Sequence, residues 1–539
     1  MIKVSQKSLF RKLQYLAWLG LIFLVVAVCI KKLYLFPGVS EILTSADMIQ
    51  LPTLFLDLQA DLNNFWHWQL PDAPYYFPDT LVFLLINYLV QDLPWSILLY
   101  SWAQSLGLII GLSWIYFELG GKKIQFFWTI LLGSLLLFSL AYTVLFDEVA
   151  VNLVTPYVFS LVSYIHFGTY LCYVFCFAAC LKYYRTPQKY LAGAIVCVTL
   201  ITTASDLLFA VTFTIPLILT IAICSWNRLI SSKKHQVFLT ALFVASLVGY
   251  IYNKYFDPLG ATASIKLKPT KAITSIESLL NNLWQMPGEQ KVFMSLTILL
   301  PLCYLLWQLK AARTRINSAA GNDLNDPNLS SLVASLFVLI SCATNLAVVI
   351  IVGKYTGVSR ARYLITLYYM PGMMALLLLA LQFERGRIKS QASITLATAT
   401  AIGVTAWSVL LGQQAPVLSK IVPPDYAKCF DLEQPQAGLA DYWYTKPLIA
   451  FSQRRIQIAT INDQGEPYTW NSNRNWYRDS WQNPGSPPMF KFIIMANLNP
   501  EAITRLYGQP KQTEVCSNTE IWWYDDQQKI YDNLMRDGL

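Results

Sequence analysis

Charged residues are scarce in this chain of 539 residues. They make up 13% of it, against 55% hydrophobic residues, and the mean hydropathy is +0.43. A typical soluble domain has about 25% charged residues, so the composition excludes a chain made only of soluble domains. The low charge content therefore indicates that a lipid bilayer is the main solvent of the chain.

Patterns for metal and nucleotide binding are also missing. Only three histidines occur, His67, His166 and His235, in separate segments, and no two of the ten cysteines form a Cys-x-x-Cys pair. The sequence has neither a G-x-G-x-x-G loop nor a Walker A loop, which bind the phosphates of soluble nucleotides. We therefore predict no metal site and no cofactor, and expect the chemistry to come from acids, bases and a substrate delivered in the membrane.

Long apolar runs are abundant in the first 411 residues. Each is long enough as a helix to span about 30 Å of hydrocarbon, and together with the charges at their ends they predict about eleven transmembrane helices. The first run follows four basic residues and precedes no cleavage site, which is typical of an uncleaved signal anchor. The predicted spans are 13–30, 95–116, 124–145, 161–181, 190–205, 207–225, 236–253, 291–309, 331–352, 363–383 and 392–411.

The distribution of charge predicts the topology. Lys and Arg collect on the cytoplasmic side of membrane proteins, so the net charge of +9 reflects topology and not a nucleic-acid partner. The loop 36–93 contains seven acids and no Lys or Arg, which places it outside. We expect a cytoplasmic N-terminus, an extracytoplasmic C-terminus and a bacterial plasma membrane location, since no endoplasmic reticulum retention signal is present. The oligomeric state stays open.

Irregular segments interrupt this pattern on the outer side. In the loop 36–93, apolar residues at helical spacing over 48–62 predict an amphipathic helix on the membrane surface, and the short apolar run 79–91 predicts an interfacial helix. The apolar stretch 191–225 is too long for one crossing, so its turn should lie near 202–206.

From residue 412 onward the sequence has the composition of a water-soluble domain. A helix is predicted at 437–452 and strands at 456–461 and 490–497, followed by a helix that starts at Pro500 and ends before Gly508. The segments 512–516 and 520–524 predict paired strands, which completes a small α/β domain over 412–539. Cys429 and Cys516 lie where a disulfide can form, although spacing alone leaves their pairing open.

An acid and a basic loop are the main candidates for chemistry. Asp47 in the acidic loop suits a general base whose pKa is raised by burial, or alternatively a helix cap. Lys354, Arg360 and Arg362 lie at a predicted outer membrane boundary against the usual charge bias. They suit binding of a phosphate, or alternatively contact with lipid headgroups.

Other residues are candidates for positioning the site residues or for binding a sugar. Asp206, at the predicted turn, suits either a site or a helix cap, and His166 suits an interhelical hydrogen bond. With Asp79, they are candidates to position the site residues. Tryptophans among amides in the tail, such as Trp443 and Trp470, suit either sugar stacking or an aromatic core.

These features resemble the GT-C superfamily of polytopic glycosyltransferases, such as the protein mannosyltransferases and the aminoarabinose transferase. The membrane part carries the resemblance: a signal anchor, an acidic first outer loop with Ser45-Ala46-Asp47, and a proline-aromatic segment at 71–79. Asp47 is followed by Met48, so the acidic doublet common in that family is absent. The resemblance implies an α-helical membrane fold, metal-free catalysis with Asp47 as the catalytic residue, and Arg360 and Arg362 on the carrier phosphate.

Our interpretation is an inverting glycosyltransferase that moves a sugar from a polyprenyl-phosphate donor to an extracytoplasmic glycan or protein acceptor. Two hypotheses from other classes stay open. One is a transporter or flippase for a lipid-linked sugar that uses the same basic site without breaking a bond. The other is a non-catalytic membrane scaffold whose aromatic outer domain binds glycan or a partner protein.

Overall fold

The computed structural model describes residues 44–124, 166–227, 235–256, 269–285, 294–316, 326–386 and 423–536, with isolated positions between these ranges. Helices dominate the ranges before residue 423, and a five-stranded sheet lies in the last range. The helices in the first part are α1 (Gln50–Ala60), α2 (Leu81–Val90), α3 (Leu93–Glu118), α4 (Phe167–Arg185), α5 (Lys189–Ser205), α6 (Ile215–Trp226), α7 (Gln236–Ile251), α8 (Pro269–Gln285), α9 (Leu300–Ile316), α10 (Pro327–Ile351) and α11 (Ile365–Glu384).

Four helical segments in the described ranges are long and apolar enough to cross a membrane. They are Leu93–Glu118, Gln236–Phe256, Asn328–Ile351 and Arg362–Glu384, and each coincides with a predicted span. Shorter apolar helices occupy other predicted spans, among them Lys189–Ser205 and Ala210–Trp226. The predicted spans 13–30 and 392–411, and most of 124–145, lie outside the described residues.

Helix ends in this part follow from local chemistry. The Asp92 carboxylate accepts a hydrogen bond from the Trp95 backbone N–H at 2.9 Å and caps α3, which has a proline in its first turn. The predicted break near 202–206 is confirmed, because Asp206 has extended backbone angles after α5 ends at Ser205. The carboxylate of Asp206 then caps the next helical segment through the Leu208 N–H.

The centre of the helical part is α4, whose side chains are mostly buried. It packs against α3 and α5, while α10 packs against α6, α9 and α11. Aromatic rings fill the centre, with Phe177 and Phe337 stacked at 4.4 Å between ring centroids. This core fixes the ends of α4, α5 and α11, which carry the candidate site residues.

The C-terminal range forms an α/β unit, here called the tail unit (423–536). Its elements are β2 (Gln436–Ala440), α12 (Tyr442–Phe451), β3 (Ile456–Thr460), β4 (Ser472–Asn473), α13 (Asn475–Arg478), β5 (Phe492–Ile494), α14 (Pro500–Tyr507), β6 (Gln512–Cys516), β7 (Thr519–Trp523) and α15 (Gln527–Met535). The sheet has the order β3-β2-β5-β7-β6, parallel across β3, β2 and β5 and antiparallel across β5, β7 and β6.

Several predictions for the tail unit are confirmed. The Asn499 side chain caps α14 at its N-terminus and Gly508 ends it, as predicted, while β6 pairs with β7. A disulfide joins Cys429 to Cys516 and so ties the start of the unit to its sheet edge. The strands at 456–461 and 490–497 are also present, in shorter form.

The predicted helix at 437–452 is wrong in its first part. Residues Gln436–Ala440 form the central strand β2, and α12 starts only after Asp441, whose carboxylate accepts the Trp443 N–H at 2.9 Å. A Cβ at Gly438 would clash with the ring of Phe492 on the next strand. Close strand packing therefore requires the glycine at position 438.

The first loop packs against the tail unit. The predicted helix 48–62 is present as α1, but its apolar residues Leu51 and Leu54 are buried in one cluster with tail residues. The short strand β1 (Trp68–Gln69) pairs with β4, and the Asp57 carboxylate, fully buried, accepts hydrogen bonds from Arg454, Asn473 and Trp476. The prediction of a membrane-surface helix at 48–62 is thus corrected.

Candidate functional site

A cavity of about 1380 Å³ lies where the first loop, the membrane helices and the tail unit meet. Its walls combine polar and apolar surfaces. The polar part includes Asp47, Lys354, Arg360, Arg362 and Asn471, and the apolar part includes Ile215, Ile218, Phe243, Leu247, Val348 and Val352. A cavity with these two kinds of wall can hold a ligand that has a charged or polar head and an apolar chain.

Asp47 and Arg362 form an ion pair inside this cavity. Arg362 Nη1 donates a hydrogen bond to Asp47 Oδ2 at 2.8 Å, with side chains 19% and 12% exposed, respectively. Asp47 lies in the turn before α1, and Arg362 lies in the short 3-10 helix Val358–Leu364 before α11. The structure therefore brings together two predicted site residues from distant parts of the chain.

The tail unit supplies the second partner of Asp47. The Tyr442 hydroxyl donates to Asp47 Oδ1 at 2.6 Å, and it accepts hydrogen bonds from Lys446 Nζ at 3.1 Å and Asn471 Nδ2 at 2.7 Å. Lys446 is 1% exposed, and its Nζ lies 4.2 Å from the Tyr442 ring centroid. Both Asp47 oxygens are thus held by groups from elements far along the chain.

The charge state of Asp47 differs from the prediction. Burial by itself raises the pKa of Asp47, as expected, but the Arg362 guanidinium and the Tyr442 hydroxyl outweigh burial. The pKa of Asp47 therefore lies below its usual value, and the prediction of a raised pKa is wrong. Burial also lowers the pKa of Lys446 well below its usual range, although Asp47 opposes this shift.

The other two predicted cations also line the cavity. Arg360 is exposed to it, and Lys354 Nζ lies 3.8 Å from Asp72 Oδ2, with both side chains nearly half exposed. Burial raises the pKa of Asp72 despite this pairing. At their degree of exposure such an ion pair contributes little to stability, so Lys354 is available to a ligand.

His166 and Asp206 form a buried pair on another wall. His166 Nδ1 lies 2.7 Å from Asp206 Oδ2, which also accepts a hydrogen bond from the Thr169 hydroxyl at 2.7 Å. The other ring nitrogen, Nε2, lies 3.1 Å from the Tyr75 hydroxyl. The His166 ring also contacts the Tyr363 ring, next to Arg362, with 5.0 Å between ring centroids.

Tyr75 and His166 both have positive φ angles, 54° and 46°. Residues other than glycine adopt this backbone conformation only at a cost in energy, and such residues concentrate at functional sites. The His166–Asp206 pair lies on the Arg362 side of the cavity, where His166 contacts Tyr363, and its role in positioning the site residues stays a prediction.

Asp79, the third predicted positioning residue, lies outside the cavity. It is fully buried, accepts a hydrogen bond from the Tyr100 hydroxyl at 2.6 Å, and lies against Gly168, where a Cβ would clash with its carboxylate. It is not among the residues that line the cavity. Its contacts connect the start of α2 to α3 and α4, so it acts on the site only through the position of these helices.

Sequence reasoning missed Lys446 and the link through Tyr442. Lys446 is a buried lysine within the otherwise mostly apolar or aromatic segment 442–451, and that pattern is a signal that could have been used. Within the described ranges, no three His, Cys, Asp or Glu side chains gather where they could hold a metal ion.

Comparisons with protein-family models and curated proteins identify no family for the chain. No protein-family model and no curated protein sequence matches the chain.

Proposed function

We propose that the protein is a membrane glycosyltransferase that moves a sugar from a polyprenyl-phosphate donor to an extracytoplasmic acceptor. The observation that carries the proposal is the cavity in which the Asp47–Arg362 pair lies beside Arg360 and Lys354, next to an apolar wall. The cations suit the phosphate, the apolar wall suits the lipid chain, and the carboxylate suits a hydroxyl acceptor.

Arg362 has donors left for a phosphate. Its Nη1 is used by Asp47, whereas its buried Nε has no hydrogen-bond partner among the described residues. A buried donor without a partner costs free energy, which a bound phosphate oxygen recovers. Arg360, two residues earlier and exposed to the cavity, supplies a second guanidinium. Together they stabilise charge that grows on the phosphate as the sugar leaves.

Asp47 receives the proton in this mechanism. The acceptor oxygen attacks the anomeric carbon from the face opposite the phosphate, the carbon–oxygen bond to the phosphate breaks, and its electron pair stays on the phosphate oxygen. The acceptor hydroxyl proton passes to Asp47. A carboxylate with a lowered pKa is a weak base, so the proton transfers late, when the new bond has made the hydroxyl acidic.

The proposal includes the predicted topology. Residues 1–411 form a membrane domain of about eleven spans, of which the four long apolar helices are the clearest. The N-terminus is cytoplasmic, and the domain 412–539 lies on the extracytoplasmic side of a bacterial plasma membrane. The donor then enters the cavity from the lipid, and the acceptor enters from the side of the tail unit.

The test is incubation of the purified protein in lipid nanodiscs with a panel of radiolabelled polyprenyl-phosphate sugars. Wild type should release or transfer sugar, and Arg360→Ala should lose most of this activity. A transporter makes no product but moves the lipid-linked sugar across liposomes, and that result would replace the enzyme proposal. If wild type neither binds nor turns over any donor, the cavity serves another ligand.

A further inference from the structure

The tail unit contributes an aromatic wall to the cavity, next to Asp47. Trp443, Tyr468 and Trp470 line the cavity around the buried Tyr442. Trp443 is 49% exposed and Tyr468 is 37% exposed, while Trp470 is half-buried with its ring centroid 5.3 Å from that of Tyr442. Exposed aromatic rings on a concave wall offer flat apolar faces to a ligand.

Asn471, beside this wall, carries an unused acceptor. It is 1% exposed and lines the cavity, and its amide oxygen Oδ1 has no hydrogen-bond partner among the described residues. Its backbone has a positive φ of 54°, and the next residue begins β4, which pairs with β1. The β1–β4 pairing thus fixes the backbone next to Asn471 at the wall of the cavity.

The hydrogen bonds of Tyr442 fix which way the Asn471 amide points. The Asp47 carboxylate only accepts, so the single proton of the Tyr442 hydroxyl goes to Asp47. Tyr442 must therefore accept from Asn471, which turns the amide nitrogen toward Tyr442 and leaves Oδ1 for another donor. A buried acceptor of this kind is satisfied by a ligand that brings a hydroxyl or N–H group.

We infer that the acceptor of the proposed reaction is a saccharide, bound with a ring against Trp443 and Trp470 and with one hydroxyl donating to Asn471 Oδ1. Aromatic faces meet the C–H faces of a sugar ring, and the amide oxygen meets its hydroxyls. Asn471 and Asp47 bind the same Tyr442 hydroxyl, so a sugar held on Asn471 has a neighbouring hydroxyl within the reach of Asp47.

This inference rests on the proposed transferase function but can be tested apart from it. The full chain in nanodiscs is titrated with neutral trisaccharides (maltotriose, cellotriose, mannotriose and chitotriose), and binding is followed by saturation-transfer difference NMR. The variants are Trp443→Ala, Trp470→Ala and Asn471→Ala. Trp66→Ala is the control, because Trp66 is 65% exposed and does not line the cavity.

We expect wild type to bind at least one trisaccharide, and each of the three variants to bind it about tenfold more weakly, which corresponds to one lost contact. Trp66→Ala should bind like wild type. Trp443→Ala removes an exposed side chain, so weaker binding by this variant does not come from a disrupted core.

If Asp47→Asn loses sugar transfer but still binds the trisaccharide, both proposals are supported. If wild type binds the trisaccharide at this site but transfers no sugar, only the saccharide site is retained. If no trisaccharide binds, or all variants bind like wild type, the inference is overturned.

Discussion

Asp47 and Arg362 are 315 residues apart in the chain, yet Arg362 Nη1 lies 2.8 Å from Asp47 Oδ2. This contact joins the turn before α1 to the start of the apolar segment Arg362–Glu384. Because the Tyr442 hydroxyl holds the second oxygen, one carboxylate connects the first loop, the membrane helices and the tail unit. Asp47 is therefore both a structural connection and the candidate proton acceptor.

The first prediction concerns acid stability. The pKa of Asp47 is lower in the folded protein than the 3.8 of an unperturbed side chain, so its contribution is present above about pH 4 and is lost as the pH falls through the folded value. Asp47→Asn should cost about 2 kcal/mol at pH 7 and progressively less below pH 4. Thermal unfolding in detergent across pH measures this difference. The exposed residue Asp431, changed to Asn, is the control, and a pH-independent difference would contradict the assignment.

Lys446 gives the second prediction, with a different pH dependence. Its pKa is lowered in the folded protein, so the unfolded chain binds more protons, and stability should rise with pH by up to about 1.4 kcal/mol per pH unit. Lys446→Met removes this slope at pH values below the usual lysine pKa of 10.5. The comparison is Lys428→Met, whose side chain is 67% exposed, and which should keep the wild-type slope. Parallel stability curves for wild type and Lys446→Met would show that Lys446 is charged when folded.

The third prediction concerns attachment of the tail unit. Asp57→Ala leaves Asn473 and Trp476 as buried donors and Arg454 without its carboxylate, so it should cost about 3 kcal/mol. We expect faster hydrogen exchange in β1 and β4, which form the strand pair between the loop and the tail unit. Asn63→Ala, an exposed change in the same loop, should leave that exchange unaltered. Equal exchange in the two variants would mean that Asp57 does not hold the tail unit.

The disulfide gives the fourth prediction. Cys429 and Cys516 are separated by 87 residues, and closing a loop of this length stabilises the folded state by about 4 to 5 kcal/mol on the chain-entropy estimate. Cys429→Ser should lower the thermal midpoint of the tail unit, and reductant should lower it in wild type but not in the variant. Cys303→Ser, at an exposed free cysteine, is the matched control. A midpoint that reductant leaves unchanged in wild type would contradict the pairing.

Local patterns explain which parts of the fold the sequence predicted. The turn at Asp206, the capped helix α14 and the β6–β7 pair each depend on residues close together in the chain. The strand β2 was missed because its small residues follow from contact with Phe492, a partner 54 residues after Gly438. Periodicity also gave the apolar face of α1, but it does not tell whether lipid or protein covers that face.

The site was predictable only in its charges. Asp47, Arg360 and Arg362 stand out because acids and bases are rare in this sequence, and the two arginines also run against the topology rule. The contact of Asp47 with Tyr442, which in turn accepts a hydrogen bond from Lys446, was not predictable, because it depends on how the tail unit docks. The direction of the Asp47 pKa shift was missed because it depends mainly on the ion pair with Arg362, which is 315 residues away in the chain.

The role of Asp47 as proton acceptor is tested most directly by a single-turnover assay with a radiolabelled polyprenyl-phosphate sugar and the full chain in nanodiscs. The assay compares wild type, Asp47→Asn and the control Asp431→Asn. Asn at position 47 keeps a hydrogen-bond acceptor for Tyr442 but does not take a proton. We expect Asp47→Asn to bind the donor but to transfer sugar at least about 100-fold more slowly than wild type and the control. Transfer by Asp47→Asn at the wild-type rate would contradict this expectation and remove Asp47 from the mechanism.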